Sequence, residues 1–378
     1  MRRRPGGPTP DDGGPIATPP RAIALVGLSA IGDVVHMLPV VNALRRAHPD
    51  ARITWVIQPV PHRLVRGHPA VDEFIVFDRR RGVRGVRAFL DARRELRRRR
   101  FDLLIDLQVA FKAGVLTAFA DADVKLGYDR RRARDLNWLF TTHRIPPRPG
   151  RRHVQDEYFE FLEHIGVDPE PVEWGLEPTA EERERQRAFF ARFDRPVCAV
   201  VVGTTRPRKN WAPDRYARLL DAIEAELGFR TLLVGGPSAA ERRIADRVLA
   251  LTTIAAPVDA LGDGVRRLLW LLDGSDLLVS PDTGPLHIAH AIDLPVVGLY
   301  GYTNPNRFGP YRKYRDLVVD GYARYAGERY GHEPVHRPEG MARITVDAAL
   351  DKVRRAVDIY VRRGRRAASS ADGRGGDG

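Results

Sequence analysis

The sequence predicts an α/β protein of two doubly wound lobes with a cleft between them, and three observations carry this. Short apolar runs alternate with helix-periodic segments along most of the chain, the pattern of parallel strands joined by covering helices. That alternation is interrupted at 168–182 by three prolines among polar residues, then resumes at 197. The chain has 378 residues, 43% of them hydrophobic; domains usually run about 100–200 residues, so two cores are expected.

In the first lobe the apolar run 22–28 reads as a buried strand, followed by a loop at 29–32. Segment 33–46 has helical periodicity in Val34, Met37, Leu38, Val41 and Leu44, with Pro39 predicting a late start or a kink. Strands follow at 53–57 and 74–77, a basic helix at 83–100, a strand at 103–107 and a helix at 111–119. The pattern weakens over 128–149, and 156–165 is a helix. The second lobe starts with strand 197–202 and helix 216–227. Strand 231–234 and helix 240–249 follow, then strand 277–280, helix 287–292 and strand 296–299. The predicted domains are 21–175 and 176–345, flanked by disordered tails at 1–20 and 367–378. A last helix within 346–366, apolar at Val346, Ala349, Leu350, Val353, Val357 and Val361, is expected to pack back on the first lobe.

Lys and Arg number 62 against 49 acidic residues, a formal charge of +13 that suits phosphorylated substrates, an anionic membrane face or nucleic acid. The single cysteine, Cys198, excludes an intrachain disulfide and a thiolate metal cluster, and its apolar setting predicts a buried small hydrophobe. No apolar stretch nears the ~20 residues of a membrane span. Residues 1–20 lack the apolar core of a secretory signal, so a cytoplasmic protein is expected.

In open α/β sheets, ligands bind beyond the carboxyl ends of strands. Three candidate elements occupy such places. Gly27-Leu-Ser-Ala-Ile-Gly-Asp33 turns from strand to helix without a G-x-G-x-x-G dinucleotide fingerprint. Two readings stand for Asp33: a cap on the helix, or a general base at the cleft. Gly203-Thr-Thr-Arg-Pro-Arg-Lys-Asn-Trp211 gathers hydroxyls and cations for an oxyanion, with Lys209 a compact charge and Arg206 or Arg208 a fork; Trp211 is expected to pack. Ser280-Pro-Asp-Thr-Gly-Pro-Leu-His287 runs from strand to helix, with Thr283 a candidate cap and the exposed N–H groups a phosphate seat. Asp282 is expected to orient that loop or bond a sugar hydroxyl, and His290 reads equally as a buried, hydrogen-bonded histidine. No metal-ligand spacing is present, so no metal site is expected. The eleven arginines of 79–100 suit a solvated helix face or an anionic surface; with only Phe89 inside the run, stacking on nucleic acid is poorly served. Asp121-Ala-Asp123, expected at a helix end, is a weak match to a metal motif.

Taken together these blocks resemble glycosyltransferase family 9, the bacterial lipopolysaccharide heptosyltransferases. Ser29-Ala-Ile-Gly-Asp-Val-Val-His-Met-Leu-Pro39 is similar to the family's opening signature, and Ile105-Asp-Leu-Gln108 with Lys112 to its next block. The 204–211 segment resembles its phosphate loop. Val279-Ser-Pro-Asp-Thr-Gly-Pro-Leu-His287, continued through 295–310, is the most specific block, and the resemblance spans about 21 to 361. Tyr302 stands where a proline is usual, and Val109-Ala110 replaces the familiar Gly-Leu. The resemblance implies a GT-B fold of two Rossmann-like lobes and inverting transfer of heptose from an ADP-linked donor to the lipopolysaccharide inner core. It implies Asp33 as general base and Lys209 as the second catalytic group. Donor contacts fall to Thr204, Thr205, Lys209, Glu241, Asp282, Thr283, Gly284 and His287, and acceptor contacts to Gln108, Lys112 and Arg130. It further implies a phosphorylated, lipid-linked saccharide acceptor, peripheral contact with the anionic inner membrane face, no tightly bound cofactor, no required divalent metal, no nucleic acid and no obligate protein partner. A sugar-nucleotide epimerase on the same fold and a non-enzymatic nucleic-acid-binding protein are the alternatives.

Overall fold

Apolar runs become central strands because a strand covered on both faces must be apolar on both. The computed structural model describes residues 16, 18–78, 83–262 and 264–361, and places these strands in two separate sheets. In the first unit the strands are β1 (Ala22–Val26), β2 (Arg52–Ile57), β3 (Glu73–Val76), β4 (Arg100–Asp106), β5 (Asp121–Gly127) and β6 (His143–Arg144). Their order is β3-β2-β1-β4-β5-β6, with every pairing parallel. The second unit holds β7 (Val197–Val201), β8 (Arg230–Val234), β9 (Val258–Asp259), β10 (Leu277–Pro281), β11 (Val296–Tyr300) and β12 (Val318–Asp320). Its order, β12-β11-β10-β7-β8-β9, repeats the same plan, again all parallel. In each sheet the strand order reverses between two neighbours, β1 and β4 or β7 and β10. The loops beyond their carboxyl ends are therefore the expected ligand positions, and most candidate site residues follow one of these four strands. Glu241, beyond β8, and Arg130, beyond β5, are the exceptions.

The cores lie on both faces of each sheet. Between the first sheet and the helices Val83–Arg97 and Phe111–Phe119, Ala24, Val26, Val56, Phe77, Leu96, Leu104 and Leu116 form one buried cluster. Trp55 is fully buried and its indole N–H donates to the Gly27 carbonyl at 3.1 Å. A Cβ at Gly27 would come within 2.4 Å of the Met37 sulfur and 2.9 Å of the Trp55 indole nitrogen, so a side chain here would force both to shift.

Four expectations are corrected. The helix after β1 does not start late: it runs Ile31–Ala47 with Pro39 inside it, and its buried face from Val34 to Leu44 outweighs the lost N–H. Asp121-Ala-Asp123 opens β5 rather than closing a helix, and Asp123 pairs with Arg100 at 2.9 Å. The final helix, Val346–Ala356, expected on the first lobe, belongs to the second unit. Its apolar face of Ala349, Leu350, Val353 and Ala356 is buried against helix Pro213–Leu227 and β11, and Lys352, Arg355 and Tyr360 all bond Asp316. Segment Gly150–Val154, expected in the first lobe, belongs to the second unit, where His153 Nε2 bonds the Gly309 carbonyl at 2.8 Å and Arg307 donates to the Arg152 carbonyl at 2.9 Å. The chain otherwise divides between Gly175 and Leu176.

Residues 79–82 of the arginine stretch, 362–366, tail 367–378 and most of tail 1–20 lie outside the described residues. No helix among the described residues is long and apolar enough to cross a membrane. Cys198 is buried in β7, as its apolar setting predicts.

Candidate active site

In the second unit, Gly203 lies just beyond β7, and a Cβ there would come within 3.1 Å of the Glu241 backbone. Glycine therefore lets this loop lie close to the helix Ala239–Leu251. Thr204 is buried. Its hydroxyl donates to the Arg206 carbonyl (2.8 Å) and accepts the Arg206 N–H (3.1 Å), while its own N–H donates to Asn210 Oδ1 (2.8 Å). The Thr204 side chain thus shapes the loop, whereas Thr205, Arg206 and Arg208 are exposed at its tip. A 3-10 turn, Pro207–Lys209, sends the Lys209 ammonium to Asp282, 2.6 Å from its carboxylate and 2.9 Å from its carbonyl.

Asp282, just beyond β10, is the centre of this half. Besides Lys209, Thr303 donates to it at 2.6 Å, and His287 Nε2 lies 3.3 Å from its other oxygen. Burial alone would raise the Asp282 carboxyl. The Lys209 ammonium, with His287 and their hydrogen bonds, reverses this and holds it well below the usual carboxylate range. Asp282 is therefore an ionised anchor for Lys209. Thr283 occupies the N-cap position of helix Gly284–Ala291, yet its side chain makes no cap hydrogen bond. Glu241 closes a different loop: its carboxylate accepts the Ser238 hydroxyl (2.6 Å) and the Gly236 N–H (3.2 Å). His290 is buried, and burial pushes its imidazole down to about 3, so it stays neutral.

In the first unit, Asp33 lies in the first turn of helix Ile31–Ala47, and its Oδ2 accepts the Ala30 N–H at 2.8 Å. Ala30 has no side-chain oxygen to return, so only half of a capping box is possible. Gln108, beyond β4, donates from Nε2 to the Ser29 carbonyl at 2.7 Å, which joins the loops after β4 and β1. Lys112 is the second residue of helix Phe111–Phe119, and Arg130 stacks 4.3 Å from the Trp138 ring centroid. Asp33 and Gln108 are thus brought together by one peptide, while Arg130 sits in a separate cluster.

The model of glycosyltransferase family 9 (heptosyltransferase) matches residues 89–329. The chain belongs to glycosyltransferase family 9. Among relatives of this family 9 enzyme, the lipopolysaccharide core heptosyltransferase OpsX of Haemophilus influenzae is 30% identical over 82% of this chain and 88% of its own. Lipopolysaccharide heptosyltransferase 1 of Pseudomonas aeruginosa is 31% identical over 76% of this chain and 81% of its own. Among solved structures, the Escherichia coli heptosyltransferase WaaC with ADP superposes at a TM-score of 0.69, with 23% identity, 88% of this chain and 99% of that one. That likeness carries the GT-B fold, in agreement with the doubly wound lobes expected from sequence.

Sequence reasoning missed four residues of this glycosyltransferase's site region: Thr303, Asn210, Asp106 and Asn137. Asn210 follows Lys209 directly and could have been found as a loop-shaping amide. Thr303 reaches Asp282 only through the fold. Asp106 is fully buried at the end of β4, and burial pushes its carboxyl up to about 7 against hydrogen bonds from Asn137, Gln108 and Thr117. Among the described residues no group of three or more His, Cys, Asp or Glu is placed to hold a metal ion.

Proposed function

We propose that this enzyme moves a heptose from an ADP-linked donor to the inner core of a lipid A-linked saccharide, with inversion at the anomeric carbon. The observation that carries this is the Lys209–Asp282 pair, which supports a diphosphate seat between the strand ends of the second unit. The two relatives, both lipopolysaccharide heptosyltransferases, support the sugar and the acceptor. In this reading Asp33 takes the proton of the acceptor hydroxyl as its oxygen attacks the anomeric carbon. The bond to the diphosphate breaks, and the growing negative charge meets Lys209, the exposed Arg206 and Arg208, and the first N–H groups of helix Gly284–Ala291. Asp282, Thr283, Gly284 and His287 hold the donor, with Thr204 and Thr205 on the diphosphate and Glu241 on the ribose. Gln108, Lys112 and Arg130 serve the acceptor. Cations already in the seat let the chemistry run without a bound divalent metal.

The test is incubation of the protein with ADP-heptose and truncated lipopolysaccharide acceptors, with products read by mass, in the presence and absence of EDTA. The expected product is the acceptor plus one heptose, formed equally under chelation. Donor conversion without acceptor would favour the epimerase reading, and loss of turnover with EDTA would restore a metal.

The arginine-rich helix supports cytoplasmic action at the inner membrane face. On helix Val83–Arg97, Val86 and Leu90 are 62% and 56% exposed, beside the exposed Arg87, Arg94 and Arg97. Aliphatic side chains among cations suit an anionic bilayer surface. Co-sedimentation with anionic vesicles is expected to fall when Arg87, Arg94 and Arg97 become Gln; unchanged association would remove this surface from the reading.

A further inference from the structure

We infer that Asp106 is a positioning residue for the transfer reaction: its buried carboxylate fixes Gln108, and Gln108 grips the peptide that holds Asp33. The inference rests on the reading of Asp33 as the base.

Strands β1 and β4 are neighbours, and Asp106, the last residue of β4, stands opposite Val26, the last of β1. The Asp106 carboxylate accepts the Gln108 N–H, the Thr117 hydroxyl and the Asn137 amide, each at 3.0 Å. Thr117 comes from helix Phe111–Phe119 and Asn137 from the 3-10 turn Asn137–Phe140. Asn137 also donates to the Ala110 carbonyl at 3.0 Å, so the loop after β4 is held from both sides.

From there the contacts lead to the reacting group. Gln108 Nε2 donates to the Ser29 carbonyl at 2.7 Å. The N–H of that same peptide, on Ala30, donates to Asp33 Oδ2 at 2.8 Å. One peptide group is therefore held at its oxygen by Gln108 and holds Asp33 by its hydrogen. A shift of Gln108 moves the donor that orients Asp33.

The choice of a carboxylate at 106 is costly. Three neutral donors face it, and an unpaired buried anion is expensive. An amide of the same shape offers one oxygen and turns its NH2 group on a donor. The groups facing Asp106 from its own loop, from helix Phe111–Phe119 and from the 3-10 turn are an amide N–H, a hydroxyl and an amide, none of which titrates. Burial against these donors puts the carboxyl at about 7. Below that pH the proton removes an acceptor site, and the grip on Gln108 loosens.

The test uses the full chain with Asp106→Asn and Gln108→Ala, each alone, and with Gln108→Ala added to Asp33→Asn. Turnover is measured against pH with ADP-heptose and acceptor, and ADP affinity by calorimetry. Each single variant is expected to lose about 10- to 100-fold in kcat, the cost of a misplaced catalytic group, while ADP affinity stays within about twofold. In the Asp33→Asn background, Gln108→Ala is expected to cost clearly less than in the wild type, because the part of its effect that passes through Asp33 is already lost. Wild-type kcat is expected to rise through about pH 7, and this limb is absent in Asp106→Asn.

Near-wild-type turnover in both single variants overturns the inference. So does an equal cost of Gln108→Ala in both backgrounds, which would leave Gln108 its acceptor contact and no action through Asp33. If Asp106→Asn fails to fold, Gln108→Ala and its double variant decide alone. Normal turnover of Asp33→Asn by itself marks the failure of the base reading instead.

Discussion

Asp33→Ala is expected to lose nearly all transfer, by about 10²- to 10⁴-fold, while ADP still binds. Acceptor-dependent turnover and ADP calorimetry check the two halves of that statement. The donor contacts proposed above all lie in the second unit, whereas Asp33 lies in the first. The hydrogen bond it accepts from the Ala30 N–H belongs to the start of its own helix. That bond leaves both sequence readings physically sound, since a cap and a base can be the same carboxylate. Asp33→Asn separates them. Asparagine is among the best residues for satisfying a helix start, and its oxygen can still accept the Ala30 N–H. It has no basic site. If capping were the whole role, Asp33→Asn would restore turnover; the expected result is that it is as inactive as Ala.

Lys209→Ala is expected to weaken ADP binding and to destabilise the second unit. The pair it breaks is largely buried, with side-chain exposures of 14% for Lys209 and 7% for Asp282. Removing one partner of a buried pair leaves the other charge uncompensated, a cost on the order of 3 kcal/mol. The pH dependence has a defined sign. Asp282 is held below its ordinary range in the folded protein. Its contribution is therefore complete above the unfolded carboxylate value of about 3.9 and fades as pH falls through the folded value. Without Lys209, burial becomes the dominant influence and the carboxyl rises. The stability gap between the two proteins should be widest near pH ~7 and shrink below pH ~4. Urea unfolding at both pH values measures it; an equal gap at both would detach Lys209 from the ionisation of Asp282.

Eight apolar runs were legible as strands because burial on both faces leaves a composition without polar alternation. What escaped was short or polar. β6 and β9 have two residues each, too few for any periodicity, and β5 opens on Asp121-Ala-Asp123 with both acids outside the core. The final helix showed its apolar face in the sequence, but a stripe of Ala349, Leu350 and Val353 does not say which surface covers it. Candidate site residues were legible where they lie in the loop after a strand, as Lys209 and Asp282 do. Thr303 was not, because its partner is 21 positions away and only the β10–β11 pairing joins them. Asp106 was hidden by its neighbours. Inside an apolar strand it reads as part of a motif, and its three donors come from three segments.

Cys198 has a practical consequence. The only thiol of the chain lies fully buried in a central strand of the second sheet, and burial raises its pKa so that the reactive thiolate is suppressed. Alkylating reagents reach it only when that sheet opens, so modification of the native chain becomes a mass-spectrometric clock for unfolding of the second unit. A cysteine introduced at an exposed position such as Arg94 would carry a dye alone, with no need to remove the native one.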